Sequence, residues 1–415
     1  MATIYGKNYG KPSLDLNFAG NKSLIDTTTG TNYVTFTRAQ SGNEATYVGS
    51  DGLIKYASAD EPRFDHDPVT GESLGLLVEE SRTNYLGMFA SPNYNNSNSA
   101  TYSAYSDSRF GADQNAHSWT YASAQTNVEL GWFNPGSIST TGNGVQYTVS
   151  GWIKANQAYT LRGNLIDERR QGINFDFDLT TEWQYFSLST PAGINDDGSG
   201  TVYFRWIRGN IAIPAGLQLD FAAINLERGG FPTSYIPTSG STVTRAADEA
   251  SITGSNFTSF WNSEKEGTLF FEHDLNPETQ TGNPTNSMII AFSTSLTTYN
   301  GPTLGLWGSG DSRYFPTDYS NGTYNTDGWL TRTDLLANLG ITLANPGKDR
   351  YAVGYKVGTG LSNLAINGTL LGARDTSADY IPTGLYFGGS HNQRISRLTY
   401  YPKRLPDIEL QQLTK

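Results

Sequence analysis

The chain has no cysteine, which excludes disulfides, thiolate metal sites and cysteine nucleophiles together. Four histidines in 415 residues leave little material for a His-rich metal cage. Charge is scarce as well: Asp, Glu, Lys and Arg make up 16% of the sequence, and 39 acidic against 28 basic residues give a net charge of -11. That balance repels phosphate backbones and anionic lipid, so neither nucleic acid nor a membrane surface is expected as a partner. No run approaches the ~20 apolar residues of a spanning helix. The opening Met1-Ala2-Thr3-Ile4-Tyr5-Gly6-Lys7 lacks a basic segment followed by an apolar one, which predicts a soluble chain without a secretory leader. There is no Gly-x-Ser-x-Gly elbow and no Walker-type phosphate loop. Helical patterning is confined to the tail Pro406 to Leu413, with proline at its start and Leu410 and Leu413 three apart.

Glycine and aromatic residues are plentiful: 45 glycines, and Phe, Trp and Tyr at 13%. Such a chain favours short strands and turns, and the predicted fold class is all-β, built of β-sandwich or jelly-roll modules with very little helix. Short alternating runs occupy residues 1–90, for example Ser13 to Phe18 and Tyr33 to Thr37, and a turn-rich loop is expected over Glu61 to Pro68. Residues 91–116 are rich in Ser, Asn and Tyr and read as a polar linker or long loop. A middle module follows at 117–246, with strands at Val145 to Trp152, Ile173 to Leu179, Trp183 to Leu188, Val202 to Ile207 and Leu217 to Leu226. In Phe175-Asp176-Phe177-Asp178 the alternation puts the rings on one face and the carboxylates on the other. The junction Gly229 to Gly240, with two prolines, precedes a C-terminal module at 247–415, where Asn367-Gly368 is the strongest hairpin signal. Tyr-Ile-Pro-Thr recurs at 235 and 380, and Thr-Arg-Ala at 37 and 244, with no fixed period.

Five ordered pieces of the N-terminal region carry a resemblance: Thr37-Arg38-Ala39, Ala45 to Val48, Gly52-Leu53-Ile54, Pro62-Arg63-Phe64-Asp65-His66-Asp67-Pro68, and Gly75 to Asn84 including Arg82. Together they resemble the N-terminal block of bacteriophage virion proteins of the head spike, fibre or minor structural type. The stretches Asn225 to Glu227, Phe231 to Thr238 and Val243 to Asp248 resemble the end of the middle module in those proteins. From Gly267 to Asp407 the chain is similar to concanavalin A-like lectin and glucanase sandwiches. The resemblance implies a structural, non-enzymatic protein on the virion exterior, assembled in the host cytoplasm. It further implies attachment to other head or tail proteins through residues 1–90, a homotrimer, a middle module of carbohydrate-binding type, and adhesion to host-surface glycan. A polysaccharide depolymerase on a tail spike is the alternative.

For that alternative, glycosidases need two carboxylates about 5–10 Å apart, and Glu272-His273-Asp274 offers the i, i+2 spacing. The glucanases of similar fold carry a further carboxylate where this chain has Asn276, so a polar strand edge is the expected reading. Asp65-His66-Asp67 could be taken as metal ligands, but a strand would split them between two faces. A structural role is expected instead, with Arg63 and Arg82 as ionic partners. No cofactor is expected; a calcium ion on Gly308 to Ser312 would have one carboxylate, Asp311. Sugar recognition uses exposed rings beside amides and charged groups. The segment with Trp307, Arg313, Tyr314, Tyr319, Asn325 and Trp329 fits best, whereas Trp152, Trp183 and Trp206 are expected in the core.

Overall fold

The alternating segments become antiparallel strands in a computed structural model that describes residues 10–40, 42, 44–86, 100–111, 116–125, 132–133, 146–167, 172–191, 202–205, 212–238, 241–262, 266–275, 287–293, 303–306, 313–317, 319–320, 323–324, 330–331, 348–356, 362–374, 382–388 and 392–415. The fold is all-β, as the composition predicts. Helix is confined, among the described residues, to Phe18–Asn21, Gly254–Phe260, Asp407–Leu413 and a 3-10 turn at Ser108–Phe110. No described helix is long and apolar enough to cross a membrane.

Two sandwiches account for most of the strands. In the larger one, an eight-stranded sheet runs Thr369–Arg374, Ser362–Ile366, Lys348–Lys356, Glu266–Leu275, Gln393–Tyr401, Ser73–Val78 and Arg63–His66, with Leu14–Leu16 also paired to Gln393–Tyr401. A seven-stranded sheet faces it: Thr35–Thr37, Glu249–Thr253, Gly384–Gly388, Ser287–Ser293, Thr303–Leu306, Arg313–Thr317 and Leu330–Thr331. Leu269, Phe271, Tyr351, Leu398 and Tyr400 from the first sheet meet Ile252, Ile290, Phe292, Leu385 and Phe387 from the second in one buried core. The tail helix Asp407–Leu413 packs Leu410 and Leu413 against Phe270, Ala352 and Ala365 on the outer face.

Residues 10–86 do not form a region of their own, as the N-terminal segment was expected to; their strands are members of both C-terminal sheets. Ser73–Val78 pairs with Gln393–Tyr401 through Leu76 opposite Ile395 and Val78 opposite Gln393, Leu14–Leu16 pairs with the same strand, and Thr35–Thr37 pairs with Glu249–Thr253. The cause is burial: Leu14, Leu16, Phe18, Val34, Phe36, Leu76 and Val78 belong to the C-terminal core, and strands this short bury an apolar face only by joining an existing sheet. The stretch Glu61 to Pro68, expected as loop, contains the strand Arg63–His66, whose register shifts between Asp65 and His66.

The middle sandwich has a five-stranded sheet, Gln184–Ser189, Tyr147–Ala155, Gln218–Arg228, Ala116–Tyr121 and Ala100–Tyr105, against a four-stranded one, Trp132–Phe133, Val202–Arg205, Tyr159–Asp167 and Gly172–Leu179. The five predicted strands recur within a few residues, while Ala116–Tyr121, Trp132–Phe133 and Tyr159–Asp167 have no counterpart among them. Ala100–Tyr105 lies in the expected linker yet pairs along its whole length with Ala116–Tyr121; the edge position explains its polar, half-exposed sequence.

Candidate functional site

The family-like pieces of the N-terminal region and of the 225–248 junction converge on one buried cluster between the two sandwiches. Arg63 Nη1 donates to Glu79 Oε2 at 2.7 Å, to Thr46 O at 2.8 Å and to Ser234 Oγ at 2.8 Å, and its other terminal nitrogen donates to Asp248. Arg245 Nη1 reaches the same Glu79 oxygen at 2.6 Å. Arg38 Nη1 donates to Asp248 Oδ1 at 2.9 Å while Nη2 donates to the carbonyls of Ser58 and Glu61. All three guanidinium side chains are fully buried. The two Thr-Arg-Ala copies therefore place Arg38 and Arg245 into one polar core from opposite ends of the N-terminal and middle segments.

Electrostatics explain why the cluster tolerates burial. Burial by itself would raise the Glu79 carboxyl, but Arg245, Arg63 and hydrogen bonds from Ser234 outweigh it and hold Glu79 at about 2. Burial lowers Arg245 and Arg38; Arg63, held by Asp248 and Glu79 against the same burial, is raised. Next to this core Arg82 pairs with Glu80 at 2.5 Å and lies over the Phe231 ring at 4.2 Å. Burial raises both Glu80 and the fully buried Glu227, whose carboxylate accepts the Thr233 backbone N–H and hydroxyl. Asn84 completes the joint: its amide donates to Ile224 O, Asn225 Oδ1 and Ile236 O and accepts from the N–H groups of Leu86 and Leu226.

Asp65, His66 and Asp67 turn to separate partners. Asp65 accepts Val48 N–H at 2.8 Å and Arg394 Nε at 2.6 Å, His66 Nδ1 donates to Val48 O at 3.0 Å, and Asp67 accepts Val69 and Thr70 N–H in the hairpin turn. The ionic partner of the trio is Arg394, not Arg63 or Arg82 as the sequence suggests, because those two face the interior of the joint. Among the described residues no three His, Asp or Glu side chains are grouped to hold a metal.

At the paired-carboxylate candidate, Glu272 Oε2 accepts Arg350 Nε at 2.6 Å and His273 is buried with Nδ1 3.1 Å from Gln393 Oε1. Glu272 is thus tied to the neighbouring strand by Arg350. Asp176 is likewise forked to Arg162, at 2.6 and 2.7 Å, and Asp178 accepts the Thr160 hydroxyl.

Of the glycan candidates, Trp307, Asn325 and Trp329 lie outside the described residues, as does the 308–312 loop. Arg313 and Tyr314 sit in a strand between Thr303–Leu306 and Leu330–Thr331, and Tyr319 in a two-residue strand paired with Thr323–Tyr324; their backbones alone are described. Trp206 is outside the described residues too. Trp152 is buried, but on the outer face of the five-stranded sheet with Phe110 and Ile54 and not between the sheets. Trp183 stands partly exposed beside it, its indole N–H donating to Asp107 at 3.0 Å.

No family model matches the chain, and no curated protein is significantly similar to it. Among solved structures it is similar to Trypanosoma rangeli sialidase in complex with sialic acid, at 13% identity and a TM-score of 0.28 over 40% of this chain and 26% of that one. A mutant of that sialidase displaying trans-sialidase activity gives 11% identity and a TM-score of 0.28 over 40% of this chain and 25% of the other. A CBM4 carbohydrate-binding module gives 16% identity and a TM-score of 0.24 over 44% of this chain and 99% of that one. The chain thus spans about a quarter of the length of the sialidases, and at such scores the likenesses carry no argument about function.

Proposed function

We propose that this chain is a non-enzymatic structural protein of the exterior of a bacteriophage particle, a spike, fibre or decoration, that adheres to host-surface glycan. The observation that carries the reading is the convergence of the virion-like sequence pieces on one buried ionic joint. Arg38, Arg63, Glu79, Arg245 and Asp248 serve as framework, so the shared residues encode a shape and not a reaction centre. The engagement of Glu272 by Arg350 supports the non-enzymatic part. In this reading the chain assembles in the host cytoplasm as a homotrimer. It contacts neighbouring particle proteins through the surface of residues 10–86, where the Asp67 to Gly71 turn presents Val69 at 86% exposure, and the glycan contact is assigned to the segment with Trp307, Arg313, Tyr314, Tyr319, Asn325 and Trp329.

Imaging of the particle with the chain traced in place tests the location, and light scattering of the pure protein at micromolar concentration tests the assembly. Three-fold copies on the exterior are expected. Absence from the particle, or a monomer both in solution and in place, would refute those parts. Release of oligosaccharide from host polysaccharide, abolished by Glu272→Gln, would overturn the non-enzymatic part.

A further inference from the structure

We infer that Asn367 is a deamidation site kept closed by the tail helix Asp407–Leu413, and that its reaction with water loosens that helix irreversibly. In an Asn-Gly pair the glycine backbone nitrogen, having lost its proton to solvent, attacks the asparagine Cγ, unhindered by a Cβ on the attacking residue. The side-chain amide nitrogen leaves as ammonia, and water opens the resulting succinimide to aspartate or isoaspartate. Water is the only other reactant. The step needs Gly368 N free to lose its proton, and it needs the Asn367 side chain free to turn toward that nitrogen.

In the folded chain both groups are held elsewhere. Gly368 N–H donates to Thr414 Oγ1 at 2.9 Å. The Thr414 hydroxyl donates in turn to Leu410 O at 3.1 Å, and Thr414 is 1% exposed. The Asn367 amide ties the turn to the strand Lys348–Lys356: Nδ2 donates to Asp349 Oδ1 at 2.7 Å, and Oδ1 accepts Arg350 N–H at 2.9 Å. Arg350 Nη1 also donates to Lys415 O at 2.5 Å, so the turn and the residue after Thr414 are fixed to the same side chain and backbone. The nucleophile is thus covered from the tail helix, and release of that helix frees it. A helix of seven residues depends on its packing, here of Leu410 and Leu413 on Phe270, Ala352 and Ala365. It therefore opens at lower cost than the sheets beneath it.

The product does not fit the closed arrangement. Deamidation to aspartate removes the Nδ2 donor and sets a second carboxylate against the buried Asp349, where like charges repel. Isoaspartate adds one backbone atom to a two-residue turn whose register pairs Ile366 with Thr369. Either change displaces Gly368 from Thr414. Helix release is reversible before the reaction and is not reversible after it.

The full chain is incubated in mildly alkaline buffer, and the tryptic peptide 357–374 is followed by mass, with fragment ions separating Asn367 from Asn363. The other Asn-Gly pairs, at Asn143, Asn300 and Asn321, fall in other peptides. The urea-unfolded chain supplies the unprotected rate, and the folded chain should react at least about tenfold more slowly. Thr414→Val should speed the folded chain about fivefold, the factor carried by one ordinary hydrogen bond. Ile290→Val, which loosens the facing sheet without touching the helix, should leave the rate unchanged. Asn367→Asp should raise hydrogen exchange at the N–H groups of Leu410 and Thr414, which donate to Pro406 O and Leu410 O. Equal rates in folded and unfolded chain, or no acceleration in Thr414→Val, would overturn the gate. Equal acceleration in Thr414→Val and Ile290→Val would overturn it too, because global unfolding would then open the site. Unaltered exchange in Asn367→Asp would overturn the loosening.

Discussion

Glu79 is the residue on which the joint turns, because it receives Arg63, Arg245 and Ser234 at once. Removing one partner of a buried ion pair leaves its mate uncompensated, at about 3–5 kcal/mol. Glu79→Gln should therefore lower the free energy of unfolding, measured by urea titration, by that order, more than a change at the half-exposed Asp176–Arg162 pair. The sign of the pH effect follows from the direction of the shift. A carboxyl at about 2 in the folded chain, against 4.5 ordinarily, contributes stability that is fully present above 4.5 and is lost as pH falls through about 2. The shift corresponds to about 3 kcal/mol. Glu80 and Glu227 act oppositely, since burial raises them and their ionisation costs stability toward neutral pH. Unfolding midpoints from pH 7 to pH 2 should fall steeply below about 4.5 in the unaltered chain and more gently in Glu79→Gln; parallel curves would show that Glu79 does not carry the acid sensitivity.

Among elements, the hairpin from Arg63–His66 to Ser73–Val78 shows why a glycine sits inside a run of leucines. Gly75 has φ of +101°, a conformation that disfavours any side chain, and a Cβ there would overlap the carbonyl of Ile395 on the neighbouring strand. The strand can lie against Gln393–Tyr401 only without that carbon. Gly75→Ala is expected to cost on the order of 4 kcal/mol or more, in the range reserved for named strain mechanisms, and to reduce hydrogen-exchange protection along Ile395, Leu398 and their neighbours. A loss under about 1 kcal/mol would mean that the backbone adapts there. The Asn367-Gly368 turn behaves as its dipeptide predicts: φ is +45° and +85° at the two positions, and the Asn367 side chain is held by Asp349 and the Arg350 N–H.

For the whole molecule, sheet membership makes the N-terminal region inseparable from the C-terminal sandwich. Deleting residues 1–86 would remove Leu14, Leu16, Phe18, Val34, Phe36, Leu76 and Val78 from the core. At about 1.5–3 kcal/mol per buried side chain that is roughly 10–20 kcal/mol, beyond the ~5–15 kcal/mol that keeps a domain folded. The truncated chain should be insoluble or lack the cooperative unfolding transition of the C-terminal sandwich. A folded, soluble fragment of residues 87–415 would contradict the sheet order. Attachment to a particle is accordingly tested with surface changes such as Val69→Asp and not with deletions.

Strand positions were legible in the sequence because alternation and turn residues are local: Ile173 to Leu179, Leu217 to Leu226, the Asn367-Gly368 hairpin and the tail helix all recur in the fold within a few residues. Composition likewise determined the all-β class and excluded cysteine chemistry. Sheet partnership was not legible, since an apolar face specifies that it must be covered but not by what, and Leu14–Leu16 meets Gln393–Tyr401 across more than 380 residues of chain. The repeat of Thr-Arg-Ala marked both arginines, yet only the tertiary structure showed that Arg38 and Arg245 enter one buried cluster with Glu79 and Asp248. Charges find partners through space, and the low dielectric of the interior makes that pairing obligatory once the sheets have closed around them.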